Sequence, residues 1–163
     1  MTTDAAGNLV IADSGYGEVQ VVATHTGTWY GQQMTAGRIY TVAGGGTSAL
    51  GNGVVATAAD LVSVVSATVD PHGNLVFAAG EFTQVVVATR TGRWYGQQMT
   101  AGHLYIVAGT SGAGLPNYGG LATKTERGGL WVLMVVPAAG CPGRAAWVGV
   151  RDSLPPGWVF PAP

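Results

Sequence analysis

Charge is scarce in this chain. Only 9% of residues are charged and the formal net charge is −1. The 7 Lys plus Arg residues are spread thinly, so the basic stripe needed to neutralise a nucleic-acid backbone is missing and no nucleic-acid partner is expected. Little like-charge repulsion protects the surface either. Cys141 is the single cysteine, which excludes an intramolecular disulfide, and beside Pro142 and Gly143 it reads as a spectator thiol. No apolar run reaches membrane-spanning length, since LWVLMVV at 130–136 is far too short. The opening MTTDAAGNLV lacks both a basic segment and an apolar core, so no signal peptide is read.

Recognisable chemistry is missing too. His25, His72 and His103 do not form a metal set, since His72 sits in a turn and the other two stand where the sister copy has Arg, so neither metal nor cofactor is expected. The carboxylates Asp4, Asp13, Glu18, Asp60, Asp70, Glu81, Glu126 and Asp152 form no pair at a diagnostic spacing. Gly44-Gly45-Gly46 lacks the following Lys-Ser/Thr and helix of a phosphate loop. No Gly-x-Ser-x-Gly elbow occurs. No catalytic residue is assigned, and the reading leans away from an enzyme.

What the chain does have is a repeat. VVATHTGTWYGQQMTAGRIYTVAG at 21–44 returns as VVATRTGRWYGQQMTAGHLYIVAG at 86–109. The copies differ only where His25, Thr28, Arg38, Ile39 and Thr41 become Arg90, Arg93, His103, Leu104 and Ile106. Upstream, Asp4-Ala5-Ala6-Gly7-Asn8-Leu9-Val10-Ile11-Ala12 matches Asp70-Pro71-His72-Gly73-Asn74-Leu75-Val76-Phe77-Ala78. Self-similarity at a fixed period marks a modular array. The second copy loses one residue between Ala78 and Ala88, in the stretch where GYGEVQ faces EFTQVV, which places that change in a surface loop.

The unit shows no amphipathic helix. Short Val-, Ile-, Leu- and Tyr-rich runs separated by glycine turns read as strands, so the fold class is all-β. Asp70-Pro71-His72-Gly73 reads as a type I turn, and Asp4, Asn8, Asp70 and Asn74 are its structural residues in the two copies. That turn joins strands expected at 63–69 and 74–78. A third is expected at 84–88 and a fourth at 104–108, after a loop over 89–102. Each unit is then a four-stranded meander. Three segments follow: 1–60 and 61–126, each a unit with its connector, and 127–163, a degraded third start with a Pro/Gly-rich tail. In the third, Met134–Cys141 lines up with Met1–Asn8, while Met1–Thr3 is expected to be too short for an innermost strand.

GNLVIAD followed by a V-x-V-V strand resembles the NHL repeat, the blade of a six-bladed β-propeller. With TGTWYGQQMTAGRIYTVAG and a connector ending ATAADL, residues 4–126 resemble secreted bacterial, especially actinobacterial, NHL-repeat proteins. The family's Asn-Asn-Arg-Val-like turn is altered here, with Gly17-Glu18-Val19 in the first copy and Ala79 in place of Asp13 in the second. The resemblance implies an incomplete array of propeller blades, open or closed only by oligomerisation, and an extracellular or cell-surface location. Three copies would supply six blades, hence a trimer. Fold alone does not set function.

The leading functional expectation is a non-enzymatic scaffold that binds a protein or a glycan, with no membrane partner. The candidate ligand-binding residues are Trp29, Tyr30, Gln32, Trp94, Tyr95 and Gln97, because aromatic pairs beside amides stack on sugar rings and hydrogen-bond their hydroxyls. The same residues could instead cap the unit and pack on its neighbour. Two alternatives stand beside the scaffold: part of an extracellular propeller lyase or hydrolase, and a non-functional fragment of a larger array.

Overall fold

The structure is a computed structural model describing residues 1–80, 83–109, 121–124, 135–137 and 145–147. It is all-β, with antiparallel sheets throughout. The first copy holds β1 (Thr2–Thr3), β2 (Leu9–Asp13), β3 (Glu18–Val22), β4 (Gly27–Trp29), β5 (Gln32–Met34) and β6 (Ile39–Gly44). The connector contributes β7 (Val54–Val55) and a 3₁₀ turn at Ala56–Ala58. The second copy holds β8 (Val64–Val69), β9 (Leu75–Ala79), β10 (Thr83–Val87), β11 (Gly92–Trp94), β12 (Gln97–Met99) and β13 (His103–Ala108). Beyond them β14 (Val135–Pro137) pairs with β15 (Ala145–Trp147).

Each copy builds the same meander. The first sheet runs β1-β2-β3-β6 and the second β7-β13-β10-β9-β8. Both carry a register shift at one place in the third strand of the meander, between Val19 and Gln20 and between Gln84 and Val85. A repeated bulge bends both outer strands alike. Two expectations change. Thr2–Thr3 does form an innermost strand, paired with Leu9 and Val10, because two residues suffice when the turn beside them is pinned. The loop expected over 89–102 contains the β11–β12 hairpin, and its twin is β4–β5. The expected disposition of most of 127–163 lies outside the described residues.

The alternation of strand side chains decides how the sheets meet. In the first sheet Val10, Val19 and Val21 share one face and are fully buried, joined by Met34 from the hairpin. In the second sheet Leu75, Phe77, Val85, Val87 and Leu104 bury the opposite face, and all of these residues form a single core. β8 is the strand of the second sheet that lies on β1, β2 and β3. The hairpin-bearing face of unit one therefore packs on the other face of unit two. Unit two's own hairpin-bearing face holds a second cluster: Val76, Val86, Ala88, Met99 and Tyr105. Each fully buried Val, Leu or Phe contributes about 1.5–3 kcal/mol, so this face-to-face core is the main link between the units. Among the described residues the two sheets do not close into a ring.

Candidate functional site

The candidate residues converge on the twin hairpins. Each hairpin turns through two residues with positive φ, Tyr30 (50°) and Gly31 (79°), then Tyr95 (48°) and Gly96 (77°). That is the backbone of a type I′ turn, whose twist matches the flanking strands. Glycine takes such angles freely, but tyrosine in the left-handed region is uncommon and costs energy. Both copies accept that cost, and the phenol shows why. Tyr30 donates its hydroxyl to Asp4 Oδ2 at 3.0 Å, and Tyr95 donates to Asp70 Oδ2 at 2.8 Å.

The acceptor is a built polar knot. Asp70 Oδ1 accepts the backbone N–H groups of His72 and Asn74, each at 2.8 Å, while Oδ2 also accepts Asn74 Nδ2 at 3.0 Å. Asn74, fully buried, passes the contact on: its Oδ1 accepts Thr89 N–H at 3.2 Å. Unit one repeats this with Asp4, Asn8 and Thr24. The four turn residues thus tie the innermost turn, the third strand's end and the hairpin tip together in each copy. Gly73 N–H donates to Asp70 O at 2.9 Å, the backbone bond of the turn itself. No buried side-chain polar atom lacks a partner among the described residues, as burial of polar groups requires.

Burial separates the two tyrosines. Tyr30 is 5% exposed and Tyr95 39%. Gly31, at the first hairpin's tip, sits so close to Gly102 of unit two that an added Cβ would come within 3.3 Å of its Cα. The first hairpin is therefore pressed between its own sheet and the next unit. Burial raises the Tyr30 pKa well above its ordinary value, and the nearby Asp4 charge and hydrogen bond add to the rise. Tyr95 moves the same way, through burial first and then the Asp70 hydrogen bond and charge. Neither phenol is poised to act as a base or nucleophile near neutral pH.

The other candidates are held as firmly. Trp29 and Trp94 are half-buried. Their indole N–H groups donate to His25 O at 3.2 Å and Arg90 O at 3.0 Å. Their rings lie over Gly27 and Gly92, where a Cβ would intrude at 3.3 and 3.2 Å. Gln32 and Gln97 donate Nε2 to Thr41 O and Ile106 O, each at 2.8 Å. The neighbouring Gln33 and Gln98 point to solvent. One difference distinguishes the copies: His72 lies against Trp94, ring centroids 5.1 Å apart, whereas unit one has Ala6 at that position. Sequence reasoning placed these residues together but missed their partners. The signal was the co-repetition of Asp4 with Tyr30 and of Asp70 with Tyr95.

Among the described residues no group of three His, Cys, Asp or Glu side chains could hold a metal ion, and no helix is long and apolar enough to cross a membrane. No protein-family model and no curated protein sequence matches this chain.

Proposed function

We propose that this chain is a non-enzymatic repeat scaffold, made of propeller-type units as the NHL resemblance implies, that binds a protein or a glycan through its hairpins. The observation that carries the reading is the twin hairpin itself. Each presents a half-buried, orientation-locked tryptophan beside a solvent-facing glutamine on a rigid two-residue turn. Pre-set aromatic surface beside free amide groups suits a sugar ring or a peptide loop, since little side-chain entropy is lost on binding. The same reading makes the chain part of a larger assembly, with three copies supplying six units at an exported surface.

Glycan-array and protein-capture binding tests this. Trp29→Ala and Trp94→Ala should each lower the signal and the double variant should remove most of it, with the variants retaining the wild-type circular dichroism spectrum. Equal binding by wild type and the double variant would refute the hairpin as the contact surface.

A further inference from the structure

The first connector does more than join the two units. It runs along the outer edge of β13, where Val54 and Val55 pair with Leu104 and His103. Gly53 N–H donates to Leu104 O at 2.9 Å, and Ala56 N–H to Gly102 O at 3.0 Å. Asn52 clamps the end of this strand: its Oδ1 accepts Ile106 N–H at 2.7 Å, and its Nδ2 donates to Gln97 Oε1 at 3.2 Å. Unit two's outermost strand is thereby covered by chain belonging to unit one.

Unit one has the equivalent edge groups, and among the described residues no strand pairs with them. Ile39 stands where Leu104 stands, Thr41 where Ile106 stands, and Gln32 where Gln97 stands. Gln32 also holds the same pose against the strand. Its Oε1, the counterpart of the atom that meets Asn52, has no partner among the described residues. Tyr40 is the residue bonded to Val21, so alternation turns the backbone groups of Ile39 and Thr41 away from β3. β6 is the last strand of its sheet. Ile39, on the face of the first sheet turned away from unit two, is 55% exposed beside this edge. An open strand edge beside an exposed isoleucine is a template for one more strand.

We infer that the outer edge of β6 accepts the second connector of another copy of this chain, added as an antiparallel strand. The occupant is specified by repetition. Asn117 and Leu121-Ala122-Thr123 follow the pattern of Asn52 and Val55-Ala56-Thr57, with one residue more between them. Ala122–Lys124 forms a 3₁₀ turn against β13, as Ala56–Ala58 does against β6. The two 3₁₀ turns thus hold equivalent places against the outer strands of the two units. The contact joins two different surfaces, so copies associate head to tail. It rests on the assembly half of the proposed function and is independent of any ligand at the hairpins.

The test combines light scattering over a concentration series with binding of a labelled peptide spanning residues 114–124. Association should grow with concentration, and the peptide should bind and compete with it. Thr41→Pro removes the outward N–H, and Ile39→Lys places a charge on the edge while leaving the backbone intact. Both should weaken peptide binding by about 10-fold or more and shift the mass to monomer, with unchanged circular dichroism. If Thr41→Pro fails to fold, Ile39→Lys decides alone. A wild type that stays monomeric overturns the inference, whether or not the peptide binds. Oligomers that persist unchanged in Ile39→Lys also overturn it, while leaving an assembled scaffold standing.

Discussion

Removing one hydroxyl from each hairpin should have unequal effects. Tyr30→Phe and Tyr95→Phe delete the same bond to the same kind of carboxylate, at 3.0 and 2.8 Å. A hydrogen bond to a charged group contributes about 1.5–3 kcal/mol when water cannot replace it. Tyr30 is 5% exposed and is covered by unit two, so its loss should cost about 2 kcal/mol, near the middle of that range. Tyr95 is 39% exposed, so its hydroxyl gains less over bonding to water even though Asp70 is only 6% exposed, and about 1 kcal/mol or less is expected. Urea titration followed by circular dichroism measures both, with the midpoint shifting and the slope constant. An alkaline arm adds an independent check. The folded pKa of Tyr30 lies above its ordinary value of 10.0, through burial first and then Asp4. The folded state therefore keeps a proton that the unfolded chain releases, so the stabilisation is complete below pH 10 and declines as pH rises beyond it. Tyr30→Phe should flatten that decline more than Tyr95→Phe does. Equal costs for the two variants, or a larger cost at Tyr95, would refute the claim that the first hairpin is sealed by the neighbouring unit.

Two backbone predictions follow from the connector. A Cβ on Gly46 would collide with the Ala58 backbone, so Gly46→Ala should cost more than about 2 kcal/mol, whereas Gly37→Ala, with open space around it, should cost only its positive-φ penalty of about 1 kcal/mol. Similar urea midpoints for the two variants would contradict the close approach. Val62 has φ 54° and is 82% exposed in a tight turn where Ser63 N–H donates to Leu61 O, an unfavourable place for a β-branched residue. Val62→Gly should raise stability by about 0.5–1 kcal/mol, and a loss of stability would show that the valine side chain has a role its exposure conceals.

The four strands of each meander were legible because apolar runs and Asp/Gly turns are local signals. Val64–Val69, Leu75–Ala79, Thr83–Val87 and His103–Ala108 all lie within a residue of where the pattern put them. The hairpins were not legible. Their strands are three residues long and carry Gln, Gly and Arg, and their turns use Tyr-Gly where the recognisable signal is Asn-Gly. β7 was hidden for another reason. Its pairing is set by a strand forty-eight residues away, and two valines among glycines carry no periodicity. The candidate aromatic residues were found from their recurrence beside glutamines in both copies. Their anchoring to Asp4 and Asp70 is tertiary, and became readable only once the sheets brought turn and hairpin together.

The central claim is that two copies of one unit share a core and stand or fall together. Native-state hydrogen exchange on the amides of β2–β3 and β9–β10 tests it most directly. The account predicts that the slowest amides of both sheets open with one common free energy, and that Val10→Ala lowers both by the same amount. Two distinct opening energies, with only the first sheet responding to Val10→Ala, would contradict it.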